Sequence, residues 1–166
     1  MPAPAVIQRP AWLGLKAAAW FAFLAPLLTR LVIGQAFFLT GRGKLEHLEN
    51  TVNYFRELQV PMPELNAAFV SRLEYYGGAL LIAGLFTRLV AAGLGSTMIV
   101  ALLTADKGNF LKALFGEGDA GLTDIVPVVY GMFLAWLLLY GPGLLSLDTL
   151  IARWIGPPPE SDTPGS

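Results

Sequence analysis

The stretch RLEYYGGALLIAGLFTRL, residues 72–89, determines the predicted fold because it joins two apolar segments through a very short connection. Residues 67–86 and 89–103 are dominated by apolar side chains, and a bilayer core takes about 20 such residues per helix. The residues FTRL between the two segments leave room only for a tight antiparallel hairpin of helices. Glu74 lies near the start of this hairpin, where an ionisable side chain in lipid needs a partner or a cavity.

The composition indicates a chain that is solvated by lipid. Of the 166 residues, 55% are hydrophobic and 14% are charged, whereas a soluble domain carries about 25% charged residues. The net charge of −1 gives no electrostatic attraction to nucleic acid, which is therefore not an expected partner. The chain has no cysteine, and this excludes CxxC redox pairs, thiolate metal sites and cysteine nucleophiles.

Two further apolar segments complete a predicted bundle of four transmembrane helices. One lies within residues 15–41 and the other covers residues 125–141. The predicted fold class is therefore all-α, a polytopic membrane protein whose four-helix domain occupies residues 15–155. It is preceded by an N-terminal segment, 1–14, and followed by a Pro-, Ser- and acid-rich tail, 156–166, that is predicted to be disordered. An even number of spans places both termini on one side of the membrane.

The first long connection, KLEHLENTVNYFREL, is predicted to form an amphipathic helix. Its apolar residues recur at helical spacing, and they are Leu45, Leu48, Val52, Phe55 and Leu58. The helix is expected to end at VPMPEL, where two prolines stop it. A shorter helix is predicted in NFLKALFGEGDAG. Both connections fall on the face opposite the FTRL turn, so any cap over a pocket is expected there.

The charged residues of the bundle allow two pairings for Glu74. If residues 15–41 span the bilayer, Arg30 is near the centre and can reach Glu74 on the neighbouring helix. If Pro26 instead begins the span, Arg30 lies near its end, and Lys44 reaches nearly the depth of Glu74. The residues alone leave both pairings open. A cation is expected beside Glu74 in either case.

Five residues form the candidate site, with Glu74 as the candidate for acid–base chemistry. The candidates for ligand binding are Arg30, Lys44, Glu74, Tyr75 and Tyr76. The alternative interpretation is a structural ion pair beside two tyrosines that only pack. The single histidine, with no cysteine nearby, predicts no metal site. Four small residues of the hairpin are predicted to serve close helix packing: Gly77, Gly84, Ala91 and Gly95.

The order of these segments resembles the DoxX family of bacterial four-helix membrane proteins. The matching stretches are RLVIGQAFFLTGRGKL, FRELQVPMP, LEYYGGALLIAGLFTRLVAAGL and LLLYGPGLLSLDTLI, which together extend over about residues 30–150. By that pattern seven residues match characteristic positions: Arg30, Gly41, Lys44, Glu74, Gly78, Gly84 and Arg88. Many members have a histidine where this chain has Thr40 and another where it has TADK, so no role for those imidazoles is expected here.

The resemblance implies a multi-pass protein of the bacterial inner membrane with cytoplasmic termini. It also implies a membrane subunit of a quinone-linked redox complex, with no covalent cofactor and a quinone headgroup near Glu74 and Lys44. A partner protein would supply the electrons, so the chain is at most a quinone-interacting oxidoreductase subunit. The alternative is a non-catalytic anchor, assembly or accessory subunit that packs against a partner protein in the bilayer. A small transporter is a third hypothesis.

Overall fold

The computed structural model describes residues 21–116 and 121–156 of the chain. Within these ranges the protein is all-helical and has no strand, which confirms the predicted all-α class. The α-helices are α1 (Leu24–Glu46), α2 (Leu48–Glu57), α3 (Pro63–Ala83), α4 (Thr87–Leu103), α5 (Lys107–Phe115), α6 (Val126–Tyr140) and α7 (Leu147–Ile155), with a 3₁₀ turn at Leu122–Asp124. The predicted segment 1–14 and the tail beyond residue 156 lie outside the described residues.

The longest helix, α1, begins at Leu24 and continues for 23 residues to Glu46. Pro26 is accommodated in its first turn, where a proline breaks no hydrogen bond of the helix. Lys44 therefore belongs to the same continuous helix as Arg30. This start corresponds to the second of the two alternatives, in which Pro26 marks the beginning of the span.

The predicted hairpin is formed by α3 and α4. Pro63 is at the start of α3, a position that suits its fixed backbone angle and missing N–H. Gly84 ends α3 with a φ of +69°, a left-handed conformation that favours glycine. Three residues then separate Ala83 from Thr87, so the two helices turn back on each other as the length of the connection requires.

The bundle consists of two closely packed helix pairs, α1 with α3 and α4 with α6. Contacts of α3 with α4 and of α1 with α6 join the pairs. The buried core lies where they meet and consists of Ile33, Phe37, Leu81, Val90, Ala91, Leu94, Leu134 and Leu137. The core is small, and many large apolar side chains on the outer faces of the helices are exposed. This distribution is expected of helices that are solvated by lipid rather than water.

Small residues bring α1 and α3 almost into backbone contact. An ideal Cβ on Gly34 would lie 2.9 Å from the Gly78 carbonyl oxygen, and one on Gly41 would overlap the backbone of Tyr75. Of the four residues predicted for packing, Gly77 faces α4 and Ala91 belongs to the core. Gly95 makes a looser contact, with 4.0 Å from its ideal Cβ to the Cβ of Leu134.

The connecting helices were predicted in the right places. The helix α2 lies within KLEHLENTVNYFREL and packs against α3, whereas α5 begins two residues before the second predicted stretch and covers its first half. The axis of α5 bends by 81° from that of α4. The terminal helix α7 had no separate prediction.

One described helix, α1, is long and apolar enough to cross a bilayer by itself. The helices α4 and α5 meet the same criterion only as a bent pair, and α6 is apolar but has 15 residues. All four predicted segments contain a helix within the described residues, and their crossing of a membrane stays a prediction.

Candidate functional site

An ion pair between Lys44 and Glu74 lies where α1 and α3 approach each other. Lys44 is in the last turn of α1, and Glu74 is in the middle of α3. The Lys44 Nζ donates to the Glu74 Oε1 over 2.6 Å. The glutamate side chain is 3% exposed and the lysine side chain 29% exposed. Of the two cations that the sequence allowed beside Glu74, Arg30 and Lys44, the structure therefore shows Lys44.

The hydrogen bond from Lys44 uses only one of the two carboxylate oxygens of Glu74. Its Oε2 is buried and has no hydrogen-bond partner among the described residues. A buried acceptor without a donor costs about 1–3 kcal/mol, and more when it is charged. The ion pair thus leaves one strong acceptor available to a donor that is not supplied by these helices.

A cavity of about 290 Å³ adjoins the ion pair, and both Lys44 and Glu74 line it. The cavity lies between α2, α3 and the end of α4. Its walls are mostly apolar, with Phe55, Leu58, Phe69, Val70, Met98 and Val100 among the lining residues. This volume is at the lower end of the range for small-molecule sites, where apolar walls and a few polar groups orient a ligand. A single substituted ring matches such a space.

The amphipathic helix α2 covers the cavity on one side. Tyr54 and Phe55 of this helix line it, together with Leu58, the residue that follows the helix. At the end of α2, Arg56 Nη2 donates to Glu64 Oε1 on α3 over 2.7 Å, and this hydrogen bond links α2 to the bundle. The predicted amphipathic connection thus lies over a pocket, on the face where the sequence placed it.

The two predicted site tyrosines lie apart from this cavity. Tyr75 stacks on Phe38 of α1, with ring centroids 4.7 Å apart, and Tyr76 packs edge-on against Tyr75. Tyr76 is 60% exposed on the outer face of α3. Neither residue lines the cavity, whereas Tyr54 does. Sequence reasoning did not select Tyr54, although it lies in the connection that was predicted to form a cap.

Arg30 forms a separate polar cluster near the opposite end of α1. It lies 14 residues before Lys44, which is about 21 Å along a helix. Its guanidinium is buried, and its Nη2 donates to the carbonyl of Leu145. An ideal Cβ on Gly84 would overlap this guanidinium, so Gly84 makes room for Arg30 as well as for the turn.

Asp148 completes this second cluster and was not predicted. Its Oδ1 accepts from the backbone N–H of Phe86 over 2.7 Å, and its Oδ2 accepts from that of Thr87 over 2.9 Å. The carboxylate therefore caps the N-terminus of α4, where backbone donors lack partners and a negative charge is favourable. The cluster fixes α7 to the hairpin turn and is structural in character.

The described residues contain no group of three or more His, Cys, Asp or Glu side chains that could hold a metal ion. His47 lies between α1 and α2 and is exposed.

Comparison with known proteins identifies the family. The DoxX family model matches residues 25–107, half of the 166 residues, and this confirms the resemblance seen in the sequence. A protein of Bacillus subtilis (strain 168) named "Putative oxidoreductase CatD" is 31% identical over 130 residues, covering 78% of this chain and 89% of that protein.

Two further relatives are named as membrane proteins. The inner membrane protein YphA of Escherichia coli (strain K12) is 30% identical, over 74% of this chain and 86% of its own length. The membrane protein Rv3486 of Mycobacterium tuberculosis (strain ATCC 25618 / H37Rv) is 27% identical, over 75% of this chain and 79% of its own length. No solved structure matches the chain significantly.

Proposed function

The chain belongs to the DoxX family, and we propose that it is an inner-membrane subunit of a quinone-linked redox complex. The observation that carries this proposal is the Lys44–Glu74 pair, whose glutamate is buried at the edge of an apolar cavity large enough for one ring. The name of the Bacillus relative supports an oxidoreductase role, and that of the Escherichia relative supports an inner-membrane location.

In the proposed arrangement α1, α3, α4 and α6 cross the bilayer. At 1.5 Å per residue, the 21 residues of α3 extend about 32 Å, and the 15 residues of α6 extend about 23 Å. The hydrocarbon core is about 30 Å thick, so α3 is long enough to span it, whereas α6 requires its flanking residues or a locally thinner bilayer. Both termini then lie on one side, which we place in the cytoplasm.

The chemistry of the cavity suits the headgroup of a quinone. The Lys44 ammonium can donate to a quinone oxygen and stabilise negative charge that develops on it. Glu74 can accept and release a proton at the same oxygen, because quinone reduction takes up protons as well as electrons. The apolar walls complement the ring, and the membrane supplies a path for an isoprenoid tail.

The electrons must come from a partner protein that carries a redox cofactor. The chain has no cysteine and one histidine, so its own residues provide neither an iron–sulfur site nor a pair of haem-ligating histidines. The protein is therefore proposed as the quinone-side subunit of a larger complex.

Native mass spectrometry of the protein, extracted gently from its own membrane, tests this function. We expect a stoichiometric quinone adduct that is lost in Glu74→Gln. The matched control is Glu64→Gln, because Glu64 lies on the same helix and also pairs with a cation but is exposed. Wild-type protein without a quinone, or an adduct that persists in Glu74→Gln, would contradict the proposal.

A non-catalytic accessory subunit is the second candidate. The observation in its favour is an apolar groove of about 420 Å³ between α4 and α6, whose small residues Ala92, Gly95, Gly131 and Ala135 suit the approach of another helix. In that case a partner protein, and no quinone, accompanies the extracted protein in stoichiometric amount.

A further inference from the structure

The polar groups around the cavity are unevenly divided between donors and acceptors. Three hydroxyls line the cavity, two from α4 and one from Thr104, the residue that follows it, and each already donates its hydrogen to a carbonyl of α4. Ser96 donates to Gly93 over 2.6 Å, Thr97 to Leu94 over 2.7 Å, and Thr104 to Val100 over 2.7 Å. A hydroxyl has one hydrogen and two acceptor sites, so these groups can only accept from a ligand.

Two carboxylates, those of Glu74 and Asp106, add stronger acceptors to this set, and Glu74 is the buried one. Lys44 donates to Oε1, while the buried Oε2 has no donor among the described residues. The donors on the cavity wall are fewer, and they are the remaining hydrogens of Lys44, the phenol of Tyr54 and the amide of Asn66. The amide has already donated one hydrogen to the carbonyl of Pro61 over 2.6 Å.

We propose that this acceptor-rich cavity selects the reduced, hydroxyl-bearing quinol over the oxidised quinone. The inference rests on the proposed function, since it names which redox form of the ligand the same site prefers. A quinone has only acceptor oxygens and leaves the Glu74 Oε2 without a donor. A quinol hydroxyl donates to that oxygen and still accepts from the Lys44 ammonium.

The expected preference follows from the nature of the new bond. A hydrogen bond to an ionised carboxylate is about twice as strong as one between neutral groups. One such bond, present with the quinol and absent with the quinone, corresponds to a difference in Kd of about tenfold or more. For a two-electron couple, tenfold tighter binding of the reduced form raises the midpoint potential by about 30 mV.

Anaerobic titration of the purified full-length protein in nanodiscs tests the selectivity. The probes are duroquinone, duroquinol and the dimethyl ether of duroquinol, which keeps the ring and methyl groups of the quinol but has no hydroxyl donor. We expect duroquinol to bind about tenfold more tightly than the other two probes. In Glu74→Gln the buried carboxylate is absent, so binding of all three probes should be lost, as in the mass-spectrometric test, whereas Glu64→Gln should retain both the binding and the preference for duroquinol.

The outcomes separate this inference from the proposed function. Equal affinity for duroquinol and duroquinone, or tighter binding of duroquinone, overturns the selectivity and leaves the quinone site in place. Absence of binding of all three probes to the wild-type protein overturns the selectivity and the proposed function together. If Glu74→Gln does not fold, the affinities of the wild-type protein for duroquinol and for its dimethyl ether still test the selectivity, because this comparison needs no variant.

Discussion

At the scale of single residues, the Lys44–Glu74 pair is asymmetric because only one of its members can reach solvent. The Glu74 side chain is 3% exposed, whereas the Lys44 side chain is 29% exposed and ends a long flexible stem. A lysine that loses its partner can redirect its ammonium towards the membrane surface. A buried carboxylate in the middle of a helix is too short to reach water in the same way.

This asymmetry predicts the relative cost of breaking the pair from either side. Lys44→Met leaves the buried carboxylate without its cation and should destabilise the protein by about 3–5 kcal/mol. Glu74→Gln should cost less, because the freed lysine can be hydrated. Thermal unfolding of both variants in the same detergent measures the order. If Glu74→Gln lost as much stability as Lys44→Met, or more, the result would contradict the prediction that Glu74 is the member of the pair that depends on its partner.

At the scale of the elements, the packing of α1 on α3 depends on glycines that have no room for a side chain. Gly41 and Gly43 provide a matched comparison within one turn of α1. An ideal Cβ on Gly41 overlaps the backbone of Tyr75, which cannot move as a flexible side chain can. An ideal Cβ on Gly43 has no atom within 4 Å.

We therefore predict opposite effects for two identical substitutions. Gly41→Ala should destabilise the protein by about 1–3 kcal/mol, because the helices must separate. Gly43→Ala should be neutral or stabilise by about 0.5–1 kcal/mol, because alanine favours the helix over glycine. Chemical denaturation of both variants provides the measurement. Loss of stability in Gly43→Ala as large as that in Gly41→Ala would contradict the close contact of α1 and α3.

The sequence predicted these elements well where local constraints decide them. The FTRL connection is too short for anything but a hairpin, and the apolar spacing of α2 requires a helix. The partner of Glu74 stayed open because apolar residues extend on both sides of Pro26, so the start of α1 could not be read from composition. The glycines Gly34 and Gly78 were not selected for packing, because the sequence does not show that they lie opposite each other when α1 packs on α3.

The candidate site was predictable only in part, for the same reason. Depth along two helices was enough to bring Lys44 and Glu74 together in one of two registers. Tyr54 was missed because its place depends on how α2 is laid over the bundle. Asp148 was missed because it caps a helix that begins 61 residues earlier in the chain, and no local pattern predicts such a contact.

At the scale of the whole molecule, α7 indicates how the bundle is arranged relative to the bilayer. Its Leu147, Leu150, Ile151 and Trp154 form one apolar face, and all four are exposed, with Trp154 90% exposed. Its polar residues face the other way: Asp148 accepts from the turn between α3 and α4, and Thr149 donates to the carbonyl of Gly143, in the connection before α7, over 2.9 Å. A helix with its apolar face turned outward suits the membrane interface.

We predict that Trp154 lies among lipid chains near the membrane surface. The test uses a variant in nanodiscs in which Trp154 is the only tryptophan. Its fluorescence should be quenched by lipids brominated near the headgroup and only weakly by aqueous acrylamide. The control moves the indole to the side of the same helix, through Arg153→Trp combined with Trp154→Phe. Quenching of Trp154 by acrylamide alone would place α7 in water and contradict the proposed orientation.

The most direct test of the central claim is photolabelling of the membrane-embedded protein with an azidoquinone, followed by mapping of the labelled residues. We predict labelling of α2, α3 and α4 at residues that line the cavity beside Lys44 and Glu74, such as Phe55, Phe69 and Met98. The label should be suppressed by excess duroquinol and lost in Glu74→Gln. Labelling confined to the groove between α4 and α6, or scattered over the lipid-facing surface and insensitive to duroquinol, would contradict a quinone site at this ion pair.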